Sequence, residues 1–269
     1  MERKYSSHEE LEQKCPSIFT KEAASYLSEG YIHIPTIQVI KDMESLGWKP
    51  VWAQEVKARE RIGFQKHVIK FQHDDYSINY VVENILDSSE EIKPEIILTN
   101  SHDGKNSFNL RVGLYRFICS NGLVVADEEY SNVSIRHMGY NLDELNETLK
   151  QLLDKIPNLV CTINKLRETE ITEKQAEEFV EKAINLRWGE KKRIQVNIKE
   201  VLKSERRQDD ENNLWCIFNR IQEKFTRGGI TTIVEGKSKV RRARGIKQFN
   251  QDLKFNAGLW KLAESYINQ

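Results

Sequence analysis

No stretch of this 269-residue sequence approaches the roughly 18 consecutive apolar residues that a membrane-spanning helix needs, and none is expected. The first residues carry no apolar core of a secretory signal, so the expected location is the cytoplasm. Cysteine is scarce: Cys15, Cys119, Cys161 and Cys216 form no C-x-x-C pair, and without an export signal they read as buried free thiols. Five prolines and thirteen glycines are too few for a collagenous or low-complexity chain. Net charge is also missing, because 41 basic side chains face 41 acidic ones. That removes global positive charge as an argument for a nucleic-acid partner, and leaves local charge as the only such argument.

What is present is a change of period. Val51, Ala53 and Val56, then Ile62, Phe64, Val68, Ile69 and Phe71, then Ile78, Tyr80 and Val82 form short β-branched or aromatic runs between polar turns. Ile96 to Leu98 and Phe108 to Leu114 flank the turn cluster at Asp103 and Gly104, which predicts a hairpin. From Asn141 the apolar residues Leu142, Leu145, Leu149, Leu152, Ile156, Leu159, Ile163 and Leu166 recur in steps of three and four. Asn141 stands at an N-cap with Glu144 three residues on, and Pro157 predicts a kink or a break. A second helix from Thr172, capped by Thr172 with Gln175, is expected to fold back on the first as a hairpin. Two further amphipathic helices are expected. One carries Leu214, Ile217, Phe218, Ile221 and Phe225; the last carries Leu253, Ala257, Trp260, Ala263, Tyr266 and Ile267. The fold class read from this is α+β. A twisted antiparallel sheet with short N-terminal helices occupies residues 1–140, and a helical hairpin with a basic helical region occupies 141–269 and packs on the sheet.

The zero net charge conceals polarity. Residues 191–247 hold sixteen basic and seven acidic side chains, a local charge of +9, so the remainder carries −9. Within it, residues 237–247 hold six cations and no anion, enough to contact phosphates or to pair with acidic helices of the same chain. Arg59 and Arg61 beside Phe64, and Arg111 and Arg116 beside Tyr115 and Phe117, interleave cations with rings as a single-strand groove does. Alternation on a half-buried sheet produces the same pattern.

Catalytic signatures are few. Gly236, Lys237 and Ser238 suggest a phosphate loop, but Thr231 stands where its first glycine is required. His102, Cys119 and His137 would make a zinc or thiol–imidazole site if they converged; the plainer reading is a turn histidine and a buried cysteine. The sequence motifs of common hydrolases and zinc deaminases are missing. No catalytic residue, metal or cofactor is expected.

The run Glu95 to Gly104, with Asn100, His102, Asp103 and Gly104, followed by Leu110 to Gly122, with Cys119, Asn121 and Gly122, resembles the phage/plasmid-like protein family, a domain of unknown function. Ser134 to His137, Asn213 to Glu223, Arg227 to Gly229, Arg244 and Asn256 to Trp260 fit the same resemblance. It implies a product of a phage, prophage or plasmid and implies no activity. The expectation drawn from all of this is a non-catalytic DNA-binding protein of a mobile element, similar to single-strand-annealing recombination proteins, which often form rings. Arg59, Arg61, Arg111 and Arg116 would line a groove for single-stranded DNA, and Lys239, Arg241, Arg242 and Arg244 would hold phosphates. One alternative is an anti-defence or host-takeover protein that binds a host protein. Another is a metal-dependent hydrolase or nuclease using His102, Asp103 and His137.

Overall fold

A computed structural model of the chain describes residues 5–28, 30–58, 60, 62–76, 92–116, 121–123, 133–134, 140–190, 194–234 and 240–267. They fall into two compact units, separated in sequence between Ile156 and Pro157.

The first unit begins with helix α1 (His8–Lys14), a 3-10 turn (Pro16–Phe19) and α2 (Thr36–Ser45). Ser7 accepts the Glu10 amide proton and so satisfies one of the unpaired donors that open α1. The strands are β1 (Trp48–Glu55), β2 (His67–His73), β3 (Ile92–Asn100), β4 (Asn109–Arg116), β5 (Asn121–Leu123) and β6 (Val133–Ser134). They form one antiparallel sheet in the order β1-β2-β3-β4-β5, with β6 also on β4. Register puts Ile69 opposite Leu98 and Leu98 opposite Leu110, while Phe71 faces Ile96 and Ile96 faces Val112. These cross-strand rows give the sheet one apolar face. Leu11, Ile18, Val39, Ile40, Met43 and Trp48 pack in the same core as Ile69, Phe71, Ile96, Leu98 and Leu110.

Helix α3 (Leu142–Leu153) closes that core with Leu145, Leu149 and Leu152. Asn141 caps it, accepting the Glu144 amide proton at 2.8 Å as the sequence predicts. Leu142, the first residue of the heptad seam, is exposed. Pro157 stands at the second position of a new helix, α4 (Ile156–Glu168), where its missing N–H costs no helical bond. The seam is therefore broken into two helices, and its upper half belongs to the sheet's core. The strand expected at Ile78, Tyr80 and Val82 lies outside the described residues.

The second unit continues with α5 (Glu173–Trp188), β7 (Ile194–Val196), α6 (Ile198–Leu202), α7 (Leu214–Arg227), β8 (Gly228–Val234), β9 (Val240–Arg244) and α8 (Phe249–Ile267). The capping box expected at Thr172 and Gln175 is formed in both directions. Helix α7 is buried at every position from Leu214 to Phe225 and packs against α5, α6, α8 and β8. Ring contacts fasten it: Trp188 on Phe225, Phe218 on Trp260 and Phe225 on Phe255, with centroids 5.1, 6.1 and 5.9 Å apart. The inward stripe of α8 is Phe255, Asn256, Leu259, Trp260, Ala263 and Tyr266. It is rotated from the expected stripe, with Leu253 and Ala257 only partly buried.

A second antiparallel sheet, β7-β8-β9, was not expected from the sequence. Ile230 to Val234 is a β-branched run that suits a strand, but Val240 to Arg244 has three arginines in five residues and no apolar alternation. The turn from α7 into β8 needs glycine. Gly228 has φ of +78°, and a Cβ there would lie 2.5 Å from the Gly245 nitrogen and 2.6 Å from the Ala243 oxygen. Gly228→Ala is expected to destabilise the protein by about 2 kcal/mol or more, read as a lower urea midpoint. Gly189, also at positive φ but with open space around it, should tolerate alanine at a smaller loss.

Candidate functional site

Two places hold the residues that the sequence singles out. The first is the Asn100–Gly104 motif, at the end of β3. Asn100, Ser101 and His102 are fully buried. They meet Thr36, the first residue of α2, and His67, the first of β2. Asn100 donates from Nδ2 to Thr36 Oγ1 at 3.0 Å and to the Ile34 carbonyl at 3.3 Å. His67 Nδ1 lies 3.2 Å from the Gln65 carbonyl, which can only accept, so Nδ1 carries the proton. Nε2 is then an acceptor and takes the Thr36 hydroxyl proton at 2.8 Å. His102 Nε2 lies 3.3 Å from the same hydroxyl, and the His102 ring stands 4.5 Å from His33 and 5.3 Å from His67.

The motif's backbone is equally engaged. His102 donates its amide proton to the Phe64 carbonyl and accepts from the Ala24 amide. Asp103 Oδ1 accepts the Lys105 amide proton at 3.1 Å, closing a short turn. Gly104 follows at φ +71°, where a Cβ would lie 2.6 Å from Leu27. The motif therefore ties residues 24–36 to the end of the sheet. Cys119 and His137 lie outside the described residues, and of Asn121 and Gly122 the strand β5 is described, paired with Arg116 and Tyr115. Among the described residues no group of three or more His, Cys, Asp or Glu is placed to hold a metal ion.

Sequence reasoning missed the partners of this cluster. Ser17 Oγ is 3.0 Å from His67 Nδ1, but that nitrogen carries the proton and so cannot serve the hydroxyl as a base. Both side chains are fully buried, so a substrate has no route to the hydroxyl. The pair holds the 3-10 turn to β2. Glu55 accepts from the Ser17 amide at 3.1 Å and from Gln65 Nε2 at 2.7 Å. Cys15 is buried beside it. Desolvation first, and the Glu55 charge second, push its thiol up to about 12, which leaves it protonated and inert. Cys216 is buried too, whereas Cys161 is exposed, against the expectation of a buried thiol.

The opposite face of the first sheet is polar yet buried. Glu95 lies 3.6 Å from Lys70 and accepts from Gln72 Nε2 at 3.0 Å. Arg111 shares this face, half-buried, and burial lowers its pKa. Lys66 is lowered by burial and then by the nearby Arg111 charge, so two cations sit close together there. Of Arg116 only the strand position is described; Arg59, Arg61 and Lys239 lie outside the described residues.

The second place is the basic segment of the second unit, and much of its charge turns inward. Arg220 donates to three backbone carbonyls: Nε to Asp209 at 2.5 Å, Nη2 to Glu211 at 2.7 Å and Nη1 to Leu202 at 3.2 Å. Lys224 donates to the carbonyls of Glu200 and Lys203 and pairs with Glu205. Arg206 and Arg227 both pair with Glu223. The +9 read from the sequence therefore overstates the charge offered to a ligand. Arg241, Arg242 and Arg244 are different. All three are exposed on β9, with Arg242 Nη1 reaching the Gly229 carbonyl at 3.2 Å. Arg187 anchors the root of the strand, donating from Nε to the Phe225 carbonyl and from Nη2 to the Arg244 carbonyl.

His67 yields a pH prediction. Desolvation lowers its pKa from 6.5 to about 4, partly offset by the Gln65 hydrogen bond. Its contribution is whole above pH 6.5. Below that the unfolded chain takes up the proton first, and stability falls until the folded state protonates near pH 4. The loss over this window is on the order of 3 kcal/mol. Urea midpoints at pH 7, 5.5 and 4.5 should fall more steeply for the native protein than for His67→Gln.

The family described as "Domain of unknown function (DUF932)" matches residues 23–257. Two proteins of Escherichia coli (strain K12) are similar along nearly the whole chain. UPF0380 protein YafZ is 29% identical over 267 residues, covering 98% of this chain and 92% of the relative. UPF0380 protein YfjQ is 28% identical over 267 residues with the same coverage. No solved structure matches the chain. The matched span takes in the Asn100–Gly104 clamp, the buried helix α7 and the arginine strand β9, and the chain belongs to the DUF932 family.

Proposed function

We propose that this protein binds nucleic acid without catalysis, as a DNA-binding protein of a mobile element, and that Arg241, Arg242 and Arg244 make its phosphate contacts. The observation that carries this reading is the sorting of charge in the second unit. Arg206, Arg220, Lys224 and Arg227 are engaged by carboxylates and carbonyls of the fold. Three guanidinium groups on five residues of strand are left at the surface. A guanidinium keeps its charge at any physiological pH and matches a phosphate with paired N–H donors. The apolar pair Ile233 and Val240, exposed and opposite each other across the two strands, adds a contact surface beside them.

Binding through three phosphate contacts releases counterions, so affinity should fall as salt rises, with a log–log slope of about −2 to −3. Fluorescence anisotropy of a labelled oligonucleotide between 50 and 300 mM salt measures it. The triple variant Arg241→Gln, Arg242→Gln, Arg244→Gln should lose about tenfold or more at low salt and most of the slope. Unchanged affinity and slope in a variant with an unchanged melting temperature would remove β9 from the interface.

A further inference from the structure

We propose that Lys66, Thr99 and Arg111 form a binding site for a phosphate group on the polar face of the first sheet. The site lies wholly within the first unit and stands apart from the β9 reading. Strand register assembles it. Val68 pairs with Thr99, Thr99 with Asn109 and Ile97 with Arg111, so Thr99 and Arg111 are diagonal neighbours across β3 and β4. Val56 donates its amide proton to the Lys66 carbonyl, which carries the β1–β2 ladder one step past β2. Lys66 is thus diagonal to Thr99 on its other side. Alternation turns all three side chains away from the core face of Ile69, Leu98 and Leu110. Diagonal positions on a sheet stand about 7–8 Å apart, within reach of long side chains, so a lysine and an arginine bracket one hydroxyl.

The second observation is that the fold leaves donors of this site unused. Thr99 is 2% exposed, and its hydroxyl has no hydrogen-bond partner among the described residues. Arg111 is half-buried, yet its guanidinium makes no hydrogen bond or ion pair among the described residues. Glu95 stands diagonal to Arg111 on the side away from Thr99, but it is engaged by Lys70 at 3.6 Å and by Gln72 at 3.0 Å. Arg111 lies close to Lys66 instead, near enough that its charge adds to burial in lowering the Lys66 pKa. A buried donor without an acceptor costs free energy, and a partly desolvated cation without an anion costs more. Arg220 and Lys224 of the second unit show the ordinary outcome, in which carbonyls or a carboxylate meet each inward cation. At Thr99 and Arg111 the acceptors are left for a ligand to bring.

The donor set narrows the ligand. A guanidinium offers paired N–H groups, an ammonium offers a compact charge, and the hydroxyl offers one proton. A phosphate group presents oxygens in several directions and carries a charge between about −1.5 and −2 near neutral pH, so it can meet all three at once. A carboxylate has two oxygens in one plane and a single charge, which leaves one of the two cations uncompensated. Lys66, Asn109 and Arg111 are each partly exposed, so a phosphate meets the cations from solvent while the hydroxyl lies beneath them. Inorganic phosphate and the terminal phosphate of a nucleotide share this chemistry.

The test follows thermal unfolding of the full chain in chloride buffer, with inorganic phosphate, adenosine monophosphate or acetate added at matched ionic strength. Phosphate and the nucleotide should raise the melting temperature saturably, by about 5 °C at a concentration a hundredfold above Kd, and acetate should not. Equal affinity for the two assigns the site to the phosphate group alone, and a nucleotide affinity at least tenfold higher makes a nucleotide the ligand. Arg111→Gln should abolish the shift and leave the melting temperature in chloride unchanged or higher, because it removes an uncompensated charge beside Lys66. Thr99→Val, which exchanges the hydroxyl for a methyl group, should weaken phosphate binding several-fold without lowering the melting temperature in chloride. A phosphate shift no larger than that with acetate, or one undiminished in Arg111→Gln, would overturn the site. So would a Thr99→Val variant that melts lower in chloride, since the hydroxyl would then serve the fold.

Discussion

A buried guanidinium cannot shed its charge, so every donor it carries must find an acceptor inside the protein. Arg220 meets that requirement with the carbonyls of Leu202, the last residue of α6, and of Asp209 and Glu211 in the segment between α6 and α7. Those carbonyls would otherwise be left without partners at the end of one helix and the approach to the next. The arginine and the loops therefore satisfy one another, and α7 can be buried along nearly its whole length because they do. Lys224 repeats the arrangement one turn on with Glu200 and Lys203. Glu200 in turn accepts the Thr231 amide proton, which links the arrangement to β8. The placement of the second sheet, and of the exposed arginines on it, follows from how these inward cations are satisfied.

The first unit solves a related problem with neutral groups. Three imidazoles, a threonine, a serine and an asparagine are enclosed where the N-terminal segment meets the sheet. Neutral histidine suits this place because it offers one donor and one acceptor, and the Gln65 carbonyl decides which nitrogen is which. The cluster fixes the end of β3, the start of β2 and the start of α2 around a single hydroxyl, that of Thr36.

Local signals were readable in the sequence and distant ones were not. Asn141, Thr172 and the heptad leucines act within a turn or two of their own helices, so the spacing alone placed α3 and α5. The sheet of the first unit was readable because β-branched runs alternate with polar turns. The strand β9 was not, because an exposed edge carries no buried face and hence no apolar alternation. The basic charge around it was visible, but its division was hidden: nothing local separates Arg220, which is buried, from Arg242, which is not. That division depends on loop carbonyls eleven and nine residues away in the chain. The Asn100–Gly104 motif was recognisable as a unit, while its partners Ser17, Thr36 and His67 come from separate segments and become neighbours only on folding.

Strand β9 pairs with β8 on one side, and among the described residues no strand pairs with its other side. A bare strand edge is a template on which another chain can add, and the usual product is an aggregate. Three guanidinium groups along that edge make two copies repel before their backbones can align. The arginines thus disfavour edge-to-edge pairing of two copies along β9. Neutralising them by mutation, or matching them with a polyanion at equal charge, removes that repulsion and exposes the edge to self-association.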